Sequence, residues 1–569
     1  MFKLRRFLKH YKKELILGPF FKLLEAIFEL AVPLVMAQII DKGIGNNDSD
    51  YVWKMSGLIV VLGICGLGFA LTCQFFAAKC AYGFGTELRD ALYKHINKFS
   101  HAEIDRFGTS SLITRITNDT VLAQNGVNMF IRLAVRAPFL IVGAAVMSMT
   151  LDLKLSIIFL IAAPIITLII VCVMKKTVPM YKKIQKGLDK ISLLTRENLD
   201  GVRVIRAFSK QEEEKKELIN ESGRLSDNAV IAGKISAILN PVTFMIMNLG
   251  IVTILWFGGI RVDTGYLTQG EITAFVNYMT QILLALVVLA NLVIIFTKAA
   301  SSASRINEVF DTQPSMTDGS DTKFDFSSPA VEFENVSFSY PDAGDLSLNN
   351  ISFTLKKGEI LGIIGGTGSG KSTLANLVPR FYDITSGNIK IFGKDIKKYS
   401  MEELRNLIGI VPQRAALFSG TIANNMRWGK PDATDQEIIS ALKIAQAWEF
   451  VSKLTDGIKT NISQGGKNLS GGQRQRLTIS RALVGNPPVV ILDDSMSALD
   501  YATDLALRKA IESELKDTAV IMISQRATTL QNANHILVLD NGEAAGYGIH
   551  ETLLKNCEEY AEIYKSQMS

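Results

Sequence analysis

A six-span α-helical transmembrane domain followed by an α/β P-loop domain is the architecture the sequence predicts, on three observations. Six long apolar segments fall within the first 300 residues. A Ser/Asp/Thr-rich stretch near 311–330 ends that composition. Beyond Val331, short β-branched strands alternate with helical runs around a glycine-rich loop. The expected boundaries are 1–310 for the transmembrane domain, 311–330 for a linker and 331–569 for the α/β domain.

The apolar segments lie at roughly 15–41, 55–82, 130–151, 155–174, 239–262 and 272–296. Each is close to the ~20 residues that a helix needs to cross a bilayer core. The chain has 569 residues, 48% of them hydrophobic and 20% charged, which suits a membrane part joined to a soluble part. A net charge of +6, with no basic run interleaved with aromatics, points away from nucleic acid. The five cysteines, Cys65, Cys73, Cys80, Cys172 and Cys557, are odd in number and lack metal-ligand spacing. They read as buried small residues.

The N-terminal "MFKLRRFLKHYKK" precedes the first span with six Lys/Arg, and Phe2, Leu4, Phe7 and Leu8 suit an interfacial amphipathic helix. The loop after span 1, "GIGNNDSD", is acidic. The basic side is expected to be cytoplasmic. Six spans return the C-terminal domain to that side. The links after spans 2 and 4, about 83–129 and 175–238, are charged and helical in pattern. They are expected to form hairpins reaching roughly 25–30 Å into the cytoplasm.

"GGTGSGKST" follows the apolar strand "EILGII" and opens a helical run. It matches G-x-x-x-x-G-K-[ST], with Gly365, Gly370, Lys371 and Ser372 at the defining positions and Thr367, Gly368, Ser369 and Thr373 completing the loop. Such a loop wraps backbone N–H groups around phosphates. Its Lys reaches the β/γ oxygens, and Ser372 is a candidate Mg²⁺ ligand. "ILDDSMSALD" ends a second apolar strand in Asp493, a further candidate Mg²⁺ ligand, followed by Asp494, the position for a general base. Tyr340 in "SFSYPD" could stack on adenine.

"LSGGQRQR" at 469–476 brings Ser470, Gly471, Gly472 and Gln473 to a helix start, a second anion-binding device. One γ-phosphate does not need two such devices on one chain; two facing chains do. With Gln413 in "IVPQ" and the "SALD" loop ending at Asp500, the set resembles that of ATP-binding cassette (ABC) half-transporters of the bacterial multidrug-exporter type. The resemblance covers essentially the whole chain. It implies ATP and Mg²⁺ as cofactors, with Gln413 sensing Mg²⁺ and the γ-phosphate. It also implies a dimeric machine in the bacterial plasma membrane and alternating access driven by ATP. Segments 106–115 and 200–208 resemble the family's coupling helices.

Three positions depart from the family pattern. Asp494 stands where Glu is usual, and Gln525 in "ISQR" stands where a switch His is usual. Gln464, just before the signature, replaces a frequent Glu. A shorter carboxylate reaches water less well, and an amide carries no proton. The expectation is a heterodimer in which this chain contributes a degenerate ATP site and an intact signature; the alternative is a slow homodimer. The expected cargo is hydrophobic or amphipathic and drug-like, with lipid or peptide export, or an ATP-gated membrane protein, as alternatives. Arg132 and Arg136 share one face at i, i+4 spacing, as do Glu25 and Glu29. They could line an anion- or amphiphile-binding cavity, pair between spans, or be charges near the membrane surface. Phe139, Phe244, Met245, Met247 and Phe296 could line a greasy cavity or pack helices.

Overall fold

The computed structural model describes residues 2–341 and 343–568. The chain forms two compact units. One runs through Asn97 and resumes over Ser110–Thr312; the other joins Lys98–Thr109 to the chain from Gln313 onward. The sequence reading held 98–109 within the N-terminal domain, whereas these residues pack with the C-terminal unit.

In the first unit, six helices are long and apolar enough to cross a membrane: Lys3–Ile44, Ser49–Ile96, Thr109–Leu151, Leu153–Asp200, Gln211–Asp263 and Gln269–Asp311. Their short connections are built from helix caps. Asp48 accepts from Tyr51 N, Asp152 accepts from Leu155 N, and Thr268 forms a capping box with Glu271. The second and fourth helices have 48 residues each. That makes each about 70 Å long, so about 40 Å extends beyond a ~30 Å core, further than expected. No breaker interrupts Ser49–Ile96. Leu153–Asp200 stays helical through Pro164 and Pro179.

The core of this unit holds Ala26, Leu30, Leu140, Ala144, Phe159, Ile166, Phe275 and Tyr278. Tyr278 donates its hydroxyl proton to the Leu30 carbonyl at 2.8 Å, so the burial leaves no orphan group. Met247 is buried in this core and Phe139 packs partly against it, while Phe244 and Met245 are exposed. The third helix is irregular: Phe130–Ala134 is π-helical. Pro138 explains it, because it lacks the N–H that the Ala134 carbonyl would accept in a regular helix.

Each link ends in a short helix. The first, His101–Phe107, begins at Ser100, whose capping box with Glu103 satisfies two donors at the helix start, and stops at Gly108. Gly108 has φ +74°, a left-handed conformation that suits glycine. This helix precedes the 106–115 segment named above and overlaps it only at Arg106 and Phe107. The second, Val202–Ala207, falls inside 200–208 and buries no residue.

The second unit carries two main sheets. A mostly antiparallel four-stranded sheet has the order Leu348–Leu355, Val331–Phe338, Ser386–Ile391, Lys394–Asp395. A six-stranded sheet has the order Glu543–Gly548, His535–Asp540, Ile360–Gly365, Ala519–Ile523, Val489–Asp493, Ile408–Val411, parallel except for its first pair. Its inner strands are rich in Val, Ile and Leu because both faces are covered, whereas the edge strand Glu543–Gly548 is largely exposed. Register aligns Ile523 with both Ile363 and Asp493. The phosphate loop, the two acids and Ser524–Gln525 therefore all leave the sheet at one edge, where α/β folds bind ligands. The 313–330 stretch is tied down: Gly319 N donates to Tyr399 O at 3.1 Å and Asp321 N to Lys398 O at 3.0 Å.

Candidate active site

At that sheet edge lies a cleft of about 650 Å³. It is lined by Tyr340, residues 367–373, Gln413, Asp493, Asp494 and Gln525, among others. The sheet edge thus gathers residues from across about 200 positions of sequence into one site.

The loop is shaped by its glycines. Gly370 has φ +97°, and a Cβ there would come within 2.7 Å of Leu348 and 2.8 Å of Ser347 O. The helix Lys371–Leu377 starts directly behind it. Its ammonium folds into the loop: Lys371 Nζ donates to Gly365 O at 2.9 Å and to Ser369 Oγ at 3.2 Å. Burial pushes the Lys371 pKa down, against the pull of Asp494 and Asp493. A poorly solvated cation flanked by backbone N–H groups is suited to an incoming polyphosphate.

Ser372 Oγ donates to Asp493 Oδ1 at 3.2 Å. Asp493 is only 7% exposed. Burial pushes its carboxyl above the ordinary range, against Ser372 and with Asp494 adding to it. A hydroxyl and a buried carboxylate side by side form a hard-oxygen pair that fits Mg²⁺, which keeps its remaining positions for water and phosphate. Among the described residues, no three His, Cys, Asp or Glu side chains form a closed metal cage, which an ion brought by a nucleotide does not require.

Asp494 has φ +43°, and its N–H donates to Ile523 O at 3.0 Å. Asp is among the few side chains that tolerate this left-handed backbone. Burial pushes its carboxyl up, opposed first by a hydrogen bond from Gln413 and then by Lys371 and Arg526. Gln413 is thus engaged with the second acid. Tyr340 stands at the other end of the cleft, its hydroxyl 3.1 Å from Thr373 Oγ1 and its ring edge-on to Phe338 and Tyr382 at 4.9 and 5.2 Å.

Gln525 lines the cleft, and a residue that sequence reasoning passed over holds its backbone. Gln567 Nε2 donates to Gln525 O at 2.7 Å, and Gln567 Oε1 accepts from Ala527 N at 2.8 Å. Nothing in the sequence pairs positions 42 residues apart. Asn541, Gly542 and Ser347 also line the cleft and carry no motif.

Ser470–Gln473 and Asp500 lie outside the cleft. Ser470 caps the helix Gly471–Leu483: its hydroxyl accepts from Gln473 N at 3.3 Å, and its own N–H donates to Gln473 Oε1 at 2.9 Å. The cap consumes two donors and leaves those of Gly471 and Gly472, which have no intrahelical acceptor. Both Ser470 and Gly471 are exposed. Gln464 is exposed just before them. Asp500 caps the next helix, accepting from Thr503 N at 3.0 Å; that bond holds its pKa down.

Two family descriptions match the chain: ABC transporter transmembrane region over residues 15–287 and ABC transporter over residues 348–497. An uncharacterized ABC transporter ATP-binding protein of Bacillus subtilis (strain 168), YfiB, is 38% identical, covering 100% of this chain and 98% of that protein. Another from Mycobacterium tuberculosis (strain CDC 1551 / Oshkosh) is 36% identical over 99% and 97%. The ATP-dependent lipid A-core flippase of Haemophilus influenzae (strain 86-028NP) is 32% identical over 99% and 96%. In fold, the chain matches the structure of a bacterial Atm1-family ABC exporter with ATP bound, with a TM-score of 0.82 at 24% identity over 98% of each chain. The two matched regions and the full-length relatives make this chain a member of the ABC transporter family: a multi-pass half-transporter whose ATPase is coupled to transport.

Proposed function

We propose that this chain is one subunit of a heterodimeric exporter, binding ATP in its own cleft with weak hydrolysis and lending its signature to a competent site on its partner. The pairing of Asp494 with Gln525 in one cleft carries this reading. A carboxylate one methylene shorter than Glu, already engaged by Gln413, makes a poor base for water. An amide at 525 cannot carry a proton in the switch position. The signature side is unaltered, with Gly471 and Gly472 still offering N–H groups to a phosphate.

In this reading Tyr340 stacks on adenine, and 367–373 with Lys371 hold the phosphates. Ser372 and Asp493 hold Mg²⁺, with Gln413 beside them. The ion supplies charge neutralisation to the β/γ oxygens. ABC exporters act as dimers in a membrane, and the bare helix Val202–Ala207 supports a docking role. Val204 and Phe208 are 61% and 72% exposed there, so their apolar surface needs a second cassette to cover it.

The transport reading is export from the cytoplasm or inner leaflet by alternating access, with the basic N-terminus cytoplasmic. Hydrophobic or amphipathic cargo suits the greasy spans, and the lipid A-core flippase relative keeps a lipid in view as the second reading. The deciding experiment is the intact mass of the complex extracted from its own membrane. A one-to-one complex with a similar-sized second chain, carrying Glu and His at the positions of Asp494 and Gln525, is expected. Twice the mass of this chain alone would overturn the heterodimer.

A further inference from the structure

The intramembrane charge of this chain is confined to two helices. No Asp, Glu, Lys or Arg occurs in span 2 between Lys54 and Lys79, in span 4 between Lys154 and Lys175, in span 5 between Lys234 and Arg261, or in span 6 between Glu271 and Lys298. Spans 1 and 3 instead carry Lys22, Glu25, Glu29, Arg132 and Arg136. These spans touch: a Cβ on Gly18 would come within 2.5 Å of Ile131, and one on Gly143 within 2.5 Å of Leu30. Glu29 is about 22 Å of helix from the end at Ile44, and Arg132 about 28 Å from the end at Leu151, by helical rise. Glu29 therefore sits in the half of the ~30 Å core that adjoins the long helical links, and Arg132 at the edge of the core on that side.

The five charges do not cancel. Lys22 Nζ donates to Glu25 at 2.6 Å, and Arg136 Nη2 donates to Glu29 at 2.7 Å. Arg132 has no carboxylate within ion-pair distance among the described residues, and Arg136 Nε is buried without a partner. An arginine without a carboxylate at the edge of the core, beside a buried guanidinium N–H without an acceptor, leaves positive charge for an anion from outside the chain to meet. Arg132 also sits in the π-helical stretch Phe130–Ala134, an irregularity that recurs at functional sites. Next to it the exposed Phe130 ring stands 6.3 Å from Phe296.

We propose that Arg132, beside Arg136, receives the phosphate or carboxylate headgroup of an anionic amphiphile, whose tail runs along Phe130 and Phe296. The planar guanidinium fork matches such oxyanions, and an anion there cancels the cluster's surplus charge. A cationic amphiphile meets repulsion at the same spot. The proposal rests on the export reading above and names its cargo. A bilayer lipid and a free amphiphile share this headgroup chemistry.

The test uses the whole purified dimer in nanodiscs of zwitterionic phosphatidylcholine, reading ATP hydrolysis. Dodecyl phosphate is titrated against dodecyltrimethylammonium, and parallel discs contain increasing phosphatidic acid. Stimulation by dodecyl phosphate is expected. Its half-maximal concentration should rise about tenfold or more in Arg132→Gln, as for loss of a charge-assisted contact. It should rise far less in Arg132→Lys, which keeps the charge, and fall in Glu29→Gln, which frees Arg136. Phosphatidic acid acting at low mole fraction identifies a lipid source; action by dodecyl phosphate alone identifies a free one; either supports the site. An unshifted Arg132→Gln response, or stimulation by the cation alone, overturns the site while leaving export standing. Continued hydrolysis that no amphiphile of either charge affects overturns both.

Discussion

The two short helices in the long helical links, His101–Phe107 and Val202–Ala207, look alike in sequence length and differ in how they are finished. His101–Phe107 has a capping box, and its surroundings lie within its own C-terminal unit. His101 stacks on Phe381 at 4.4 Å, Tyr382 donates to Asp105 at 2.5 Å, and Ser315 N donates to Glu103 at 3.2 Å. Val202–Ala207 has no side-chain cap and buries nothing. The ATP machinery divides in the same way. The cleft around Lys371 is bonded inward on itself, while the start of Gly471–Leu483 is exposed. Each pair joins one element completed within the chain to one left open, which is the pattern expected of half a machine.

The largest test of that division is at the signature. Gly471→Asp puts a carboxylate where a phosphate is to be met, and phosphate release by the purified dimer should fall about 100-fold or more, the scale of losing a preorganised anion donor. Near-normal release would mean that the open helix start takes no part in hydrolysis. Next is the bare tip. Val204→Asp, at a residue 61% exposed, should leave folding intact and reduce substrate-stimulated hydrolysis about tenfold by burying a charge in a docking surface. Unchanged stimulation would show that this tip docks nowhere.

A smaller effect is expected at the finished tip. Glu103→Ala removes its half of the capping box and the acceptor for Ser315 N, which should cost about 1–2 kcal/mol. A drop of a few degrees in the melting temperature of the cassette would register it. The smallest change is expected at Asp494. Asp494→Asn should alter turnover of the dimer less than about threefold, where loss of a working general base would cost about 10²–10⁴-fold. Its stability effect has a defined sign. Burial raises the folded pKa of Asp494, so the stability it contributes is full below its unfolded pKa and is lost as pH rises through the folded value. The Asn variant should therefore melt higher than the parent near pH 7, and the gap should close as pH falls below about 4, the ordinary Asp range. A gap that widens in acid would mean that the carboxylate is stabilised rather than strained.

Much of the site was legible in sequence because its chemistry is local. A loop that wraps phosphates needs its glycines, Lys371 and Ser372 in one short run, and a helix start offering N–H groups needs Ser470–Gln473 in another. What escaped were partners set by folding alone. Gln567 holds the backbone on either side of Arg526 from the last described helix. Gln413 reaches the Asp494 carboxylate, and Tyr382 reaches Asp105 across 277 positions. The bounds of His101–Phe107 escaped as well, because they are set by the capping box at Ser100 and the left-handed Gly108.

The sequence by itself determined which segments are greasy enough to span, where the phosphate-loop and signature motifs lie, and that Asp494, Gln525 and Gln464 depart from the family pattern. Those properties depend on residue type and on spacing along one strand or helix. Only the tertiary structure decided that Arg136 is neutralised by Glu29 while Arg132 is not, and that one link tip is covered and the other bare. Pairing and burial depend on which helix faces come together, and this is settled by close contacts such as Gly18 against Ile131 rather than by the composition of either helix.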